Sequence, residues 1–312
     1  MPVSQRSYTP SDLPAMLGVA QAAASVNNLH LVDLPYRFSS WAFDDPENIR
    51  LWQDEDGRLL AWVALQTPFW TIDYACLPDL EAALHPRLLA WADARASQVS
   101  GGPYARPAWF VSVYASQAQR RRDLEAAGFQ SQADVGEDSW TKVQMRRPTD
   151  APLKPYAPPP GYEVRPLRGE SEVEAYVELH RAVFGSKNMT VAWRQRTLSH
   201  PDYSPDLDLV VAAPDGRLAA FCIGWLRPQG NAAPLGQIEP LGCRQEFRRY
   251  ALGRVALAEA LRRLQGRGAQ SILVETDNYR NTALSLYESV GFAVINEVLV
   301  YRKDYPSPSS AS

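Results

Sequence analysis

The sequence says the same thing twice. "DGRLLAWVAL" begins at Asp56 and "DGRLAAFCIG" at Asp215, each a turn signal running into an apolar strand, 159 positions apart (215 − 56). Arg6 in "VSQRSYTPSDLPAM" and Arg165 in "YEVRPLRGESEVEAY" keep the same spacing (165 − 6). Both stretches read as a short strand, a polar loop and a helix start, with Ser11 or Ser171 as the expected cap. Further on, "WFVSVYASQAQRRRDLEAAGF" faces "SILVETDNYRNTALSLYESVGF", and Gly128 meets Gly291 at a spacing of 163 (291 − 128), a small insertion later. A chain that repeats one strand-and-helix unit is expected to fold as two copies of it. Between the copies lies "RPTDAPLKPYAPPPG". Proline at that density ends helices and central strands and favours an extended, stiff segment. The expected division is therefore 1–147, a linker over 148–160, and 161–312.

At 312 residues and 46% hydrophobic, the chain has material for two cores. A formal net charge of −3 supplies no bulk attraction to nucleic acid or to an anionic membrane, so neither is expected as a partner. Cys76, Cys222 and Cys243 are scattered, odd in number and without a C-x-x-C, which fits a reducing compartment. The N-terminus shows no basic segment followed by an apolar stretch, and no apolar run approaches a membrane span. A cytoplasmic location is expected.

In the second copy "EVRPL" is a strand and residues 172 to 184 a helix. "LDLVVAAPDGRLAAFCIGWL" is a hairpin about Pro214-Asp215-Gly216, and "GQIEPLGC" is another strand. From Leu252 a helix places Val255, Leu257, Leu261 and Leu264 near one face, with Arg262, Arg263 and Arg267 late, where cations suit its dipole. "SILVET" is a strand, "NTALSLYESV" a helix stopped by Gly291, and "AVINEVLVY" a final strand. Strands alternating with helices after a hairpin give an α/β chain in which helices cover a mixed sheet.

"RRYALG", residues 248 to 253, joins the "GQIEPLGC" strand to the helix from Leu252. Small residues and cations at a helix N-terminus make a site for phosphate, because unpaired N–H groups and the helix dipole point outward there. Further along comes "NTALSLYESVGF". Together these two stretches resemble the GCN5-related N-acetyltransferase (GNAT) superfamily, whose loop pattern is Q/R-x-x-G-x-G/A and whose ending is N-x-x-A/x-x-x-L-Y-E-x-x-G-F. Arg248 and Gly253 fit the first. Asn281, Leu286, Tyr287, Glu288, Gly291 and Phe292 fit the second. Ala251 replaces the usual first glycine, a mild departure if its φ stays negative. The resemblance covers residues 161 to 305 firmly and the N-terminal half faintly, the layout of tandem members such as mycothiol synthase-like enzymes.

The resemblance implies two tandem GNAT-like domains, the first degenerate. It also implies acetyl-CoA as co-substrate, no metal, and transfer of an acetyl group to a primary amine of a small-molecule or amino-acid-like acceptor. The pantetheine arm would pair with backbone at Leu241 and Cys243. Arg248, Arg249 and Arg254 would supply charge to the diphosphate, and backbone at Tyr250, Ala251, Leu252 and Gly253 the N–H groups. Asn278 and Asn281 are further coenzyme contacts, Asn281 equally a helix cap. Tyr287 is the candidate general acid for the departing thiolate, or a core tyrosine. Glu239 is the candidate base, or a salt-bridged strand carboxylate, with Glu275 as second choice.

Cys243 could relay an acyl group but reads better as a small buried hydrophobe. His180 and His200 lack metal-ligand spacing, and there is no G-x-S-x-G, P-loop or H-E-x-x-H. Arg120, Arg121 and Arg122 read as a solvated helix face. In the first copy Ala118, Ala115 and Leu124 stand where Asn281, Asn278 and Tyr287 stand in the second, and "LHPRLL" takes the place of the phosphate loop. That copy would support the sheet, cover the acceptor pocket or select substrate. Trp41, Trp52, Trp62, Trp70 and Trp91 are either lining for such a surface or core. A non-catalytic acyl-CoA-binding sensor is the alternative from another functional class. Residues 180 to 208, where this fold would select its acceptor, carry no recognition motif.

Overall fold

Each compact unit builds its sheet from antiparallel strands first and a splayed parallel pair afterwards. The structure, a computed structural model, describes residues 2–24, 31–100, 107–229 and 232–305. Its compact units are Met1–Lys142 with Asn296–Ser312, and Val143–Ile295. In chain order the first half supplies β1 (Ser4–Ser7), α1 (Leu13–Ala22), α2 (Leu34–Phe38), β2 (Ile49–Gln53), β3 (Leu59–Gln66) and β4 (Thr71–Cys76). There follow α3 (Glu81–Val99), β5 (Ala108–Tyr114), α4 (Ala118–Ala126) and β6 (Gln130–Ser131). The second half supplies β7 (Thr141–Pro148), β8 (Glu163–Pro166), α5 (Val173–Phe184), α6 (Val191–Leu198), β9 (Asp208–Ala212) and β10 (Leu218–Gln229). Last come β11 (Ala232–Cys243), α7 (Leu252–Gly266), β12 (Ser271–Asp277), α8 (Asn281–Ser289) and β13 (Ala293–Asp304).

In the first unit the strand order is β1-β2-β3-β4-β5-β13, and β6 also pairs with β13. Every residue of β3 is buried. Val63 and Leu65 face the core under α3, whereas Trp62 and Ala64 face the one under α1 and α2, as a strand covered on both sides requires. Trp52 and Trp62 are core residues, and Trp62 Nε1 donates to the Met16 carbonyl at 2.9 Å. In the second unit the order is β7-β12-β11-β10-β9-β8. Leu252, Ala256, Leu257, Ala260, Leu261 and Leu264 of α7 pack on it. The expected helix from Leu252 is there, with Val255, Leu257, Leu261 and Leu264 buried.

Several expectations need correcting. The final strand, read as the end of the second copy, pairs antiparallel with β5 from Val298↔Tyr114 to Asp304↔Ala108. Its Leu299 and Tyr301 fill the first unit's core, while Met145 of β7 lies in the second's. Ser11 and Ser171 are not the caps. Thr9 N donates to Asp12 and Arg168 N to Glu172, each at 2.8 Å, and each carboxylate is also gripped by the strand arginine, Arg6 or Arg165, at 2.6 Å. The residue after each serine wins because a carboxylate can take a backbone N–H and a guanidinium at once.

The proline-rich stretch is tied to the second unit. Arg147 is fully buried and donates to the Val290 carbonyl and to the Ala151 carbonyl, both at 2.7 Å. Burial lowers its pKa, against the nearby negative charge of Asp150. Thr149 Oγ1 donates to the Ala269 carbonyl at 2.6 Å, and Leu153, Tyr156 and Tyr162 pack against the second unit's core.

Candidate active site

The site begins with a defect in β11. Pairing to β10 runs in register at Ala220↔Cys243, Phe221↔Gly242 and Cys222↔Leu241, then slips to Gly224↔Ile238. The slip leaves Glu239 and Pro240 as a bulge, the device by which a strand turns a side chain out of the ladder. Trp225 Nε1 donates to the Glu239 carbonyl at 2.6 Å and fixes the bulge from the neighbouring strand.

Beyond the bulge the strand has an open edge. The parallel ladder between β11 and β12 covers Leu235↔Ser271, Gly236↔Ile272 and Gln237↔Leu273 and then stops, although both strands continue. Arg244 N donates to the Ala219 carbonyl at 2.9 Å, so that facing pair is hydrogen-bonded. Antiparallel pairs alternate, so Cys243 and Leu241 stand in non-bonded pairs with β10. Their N–H and C=O groups therefore point away from β10, toward the gap. Gly242 between them has no room for a side chain: a Cβ would lie 2.5 Å from Val183 Cγ1 and 2.7 Å from Phe221 Cζ.

After Cys243 a 3-10 turn over Gln245–Tyr250 leads into α7. Arg248, Arg249, Tyr250 and Ala251 are exposed, Gly253 and Arg254 half-buried, and Leu252 is buried in the core. Ala251 has φ +56°, which corrects the expectation of a negative value. A left-handed alanine costs about 1–2 kcal/mol, because its Cβ crowds the following carbonyl. The turn into α7 imposes this conformation and explains why glycine is the usual occupant of the position. Arg248 Nε approaches the Cys243 carbonyl at 3.4 Å. Burial pushes the Cys243 thiol up to about 11, against the charge of Arg248 and the Gly253 N–H. A thiol so held is no nucleophile at neutral pH, which disfavours an acyl relay there.

Tyr287 of α8 is buried in the second unit's core. Burial raises the pKa of its hydroxyl, and the negative charge of Glu239 adds to the effect. The hydroxyl therefore stays protonated, as a proton donor must. Glu239 itself is half-buried. Glu275 lies half-buried on β12. Asn281 is exposed at the first position of α8, with Arg280 as N-cap, so it is not the cap. Asn278 is exposed between β12 and α8.

Sequence reasoning missed a buried cluster on the opposite helical layer. Arg194 of α6 pairs with Asp208 of β9, both fully buried, and Tyr203 Oη donates to Asp208 at 2.6 Å. The Arg194 guanidinium lies 3.7 Å from the ring centroid of Tyr176 on α5. Tyr176 also lies within electrostatic reach of Glu239. Alongside, His180 stacks on Phe221 at 5.7 Å, and burial lowers its pKa to about 3. No spacing in residues 180 to 208 announces these contacts.

The comparisons agree with this architecture. Residues 173–292 match the Acetyltransferase (GNAT) family. Along 95% of its length the chain is 26% identical to the mycothiol acetyltransferase of Thermobispora bispora, covering 97% of that protein. Against the mycothiol acetyltransferase of Thermomonospora curvata it is 29% identical over 53% of this chain and 55% of that one. A tandem GNAT protein from the clavulanic acid biosynthesis pathway superposes with a TM-score of 0.66 at 14% identity, over 98% of this chain and all of the other. Residues 173–292 thus match a GNAT acetyltransferase domain, and the whole chain shares the fold of tandem GNAT proteins. A GCN5-related N-acetyltransferase from Sphaerobacter thermophilus shares the fold at a TM-score of 0.66 and 20% identity, over 98% of this chain and 96% of that one. The family match and the mycothiol acetyltransferase relatives make the chain an enzyme, an acyl-CoA N-acyltransferase. Among the described residues no cluster of three His, Cys, Asp or Glu could hold a metal, and no helix is long and apolar enough to cross a membrane.

Proposed function

We propose that the second unit moves an acetyl group from acetyl-CoA to a primary amine on a small molecule, by direct attack of the amine on the thioester. The observation that carries this reading is the open edge of β11, with the backbone groups of Leu241 and Cys243 facing the gap where β11 and β12 part. An extended pantetheine arm can hydrogen-bond there as an added strand, while α7 offers its N–H groups and Arg248, Arg249 and Arg254 to the diphosphate. Asn278 and Asn281, exposed near the far side of the gap, are assigned to the coenzyme as well.

The amine must be neutral to attack. Glu239 takes the proton from the incoming ammonium, and the C–N bond forms as the carbonyl oxygen gathers charge against a backbone N–H of β11. The C–S bond then breaks, the Tyr287 hydroxyl gives its proton to the leaving thiolate, and the extra proton on the new amide nitrogen passes through water to the tyrosinate, which restores Tyr287. Glu275 is the second candidate for the base. The relatives being mycothiol acetyltransferases supports a small-molecule acceptor. Incubation with acetyl-CoA and a panel of amino sugars and amino acids should release free thiol in the presence of a suitable amine. Binding of CoA without turnover across the panel would contradict this assignment.

A further inference from the structure

The proline-rich segment follows the whole length of α7. It starts at the helix's far end, where Thr149 N donates to the Gln270 carbonyl at 3.1 Å and Thr149 Oγ1 to that of Ala269. It finishes at the mouth. There the Arg254 guanidinium, on the first turn, sits 5.5 Å from the Tyr156 ring centroid, and Arg254 Nε has no hydrogen-bond partner. Next the chain turns at Pro159-Pro160-Gly161-Tyr162, closed by Tyr162 N donating to the Pro159 carbonyl at 3.0 Å. Gly161 takes φ +83°, and a Cβ there would lie 2.9 Å from Pro214 Cγ, so only glycine serves. This turn aims Tyr162 at the loop. Its ring lies 5.5 Å from that of the half-exposed Tyr250 at an interplanar angle of 34°, and 6.2 Å from Phe247, edge-on.

These contacts bracket the helix mouth from both flanks. On one side a cation with no ion-pair partner among the described residues is held over a tyrosine face. On the other, an exposed tyrosine is backed by a second ring. Cations and stacked aromatic rings together suit an aromatic base joined to phosphates.

We infer that the proline-rich segment is part of the nucleotide site, with Tyr156 and Tyr162 positioning Arg254 and Tyr250 to grip the phosphorylated adenosine end of the donor. The inference rests on the acetyl-CoA reading above. Tyr156 and Tyr162 are positioning residues, acting through their partners at the mouth of α7.

The test compares two donors, acetyl-CoA and S-acetylpantetheine, which lacks the nucleotide. The variant Tyr156→Leu/Tyr162→Leu keeps apolar bulk and removes both rings; Tyr156→Phe/Tyr162→Phe keeps the rings. In the leucine variant the kcat/KM preference for acetyl-CoA over S-acetylpantetheine should fall about tenfold, and the phenylalanine variant should restore it. General damage to the fold would lower both rates and leave their ratio unchanged, so an unchanged ratio overturns the inference alone. A wild-type protein that binds no CoA overturns the acetyl-CoA reading and this inference with it.

Discussion

The two units offer the same gap and treat it in opposite ways. In the first, Leu77 N donates to the Leu60 carbonyl, which by the same alternation turns the backbone of Cys76 and Tyr74 away from β3. The registered pairing of β4 with β5 is Thr71↔Phe110. So an open strand edge survives. Across it, however, Arg120 of α4 pairs with Glu81 of α3, and His85 of α3 bonds Asp123 of α4 at 2.7 Å and Tyr74 at 3.1 Å. Among the described residues no ion pair or side-chain hydrogen bond joins α7 to α8. Where Glu239 occupies the bulge of β11, the first unit has Asp73 in regular pairing, gripped by Arg37 at 2.7 and 3.0 Å.

The mouths differ as sharply. Only Leu77–Leu80 separates β4 from α3, and Asp79 and Glu81 stand at that helix start, where a diphosphate would meet like charge. "LHPRLL" lies inside α3 and is no counterpart of the loop, because the missing residues bring the helix forward. On this comparison the first copy differs from the second in its cross-ties as much as in its missing glycines.

The largest expected effect lies at the position where the copies hold Tyr287 and Leu124. Tyr287→Phe should lower kcat about 100- to 10,000-fold while the Kd for acetyl-CoA stays level; an unaltered kcat would remove the general acid from the account. Next is the tie in the first unit. Glu81→Gln leaves Arg120 buried without its charge partner and should cost about 3 kcal/mol in urea denaturation, with no change in the Kd for acetyl-CoA.

Gly242→Ala comes third. Ala75 occupies the corresponding place in β4, but Val183 and Phe221 leave no room at Gly242, and a loss of about 2 kcal/mol is expected from the same measurement. Fourth is pH. Burial holds His85 and His180 below the ordinary histidine value, His180 at about 3. An unfolded histidine binds its proton first, so this stability is complete above about pH 6.5 and drains away toward pH 3. At pH 5.5 His180 should account for about 1.4 kcal/mol, and His180→Phe should flatten the dependence by that amount. The smallest effect is Ala251→Gly, expected to stabilise the second unit by about 1 kcal/mol because it relieves the left-handed φ. No gain would mean the turn is less demanding than its φ implies.

Much of this was legible in the sequence because it is local. The hairpin glycines Gly57 and Gly216 take φ +80° and +82° at the spacing the repeat requires, and α4 and α8 begin at Ala118 and Asn281 as their alignment predicts. What was hidden depends on distant partners. Arg120 looked solvated from its run of arginines, yet it is buried against Glu81, and Arg194 meets Asp208 only after α6 folds onto β9. The exchange of β13 could not be read because its alternation suits either sheet.

The most direct test is calorimetric titration of the intact chain with acetyl-CoA, for the wild type and for Gly253→Asp, which sets a carboxylate at the mouth of α7. The account predicts one molecule bound per chain, and its loss in the variant. Two molecules per chain, or binding that survives Gly253→Asp, would contradict it.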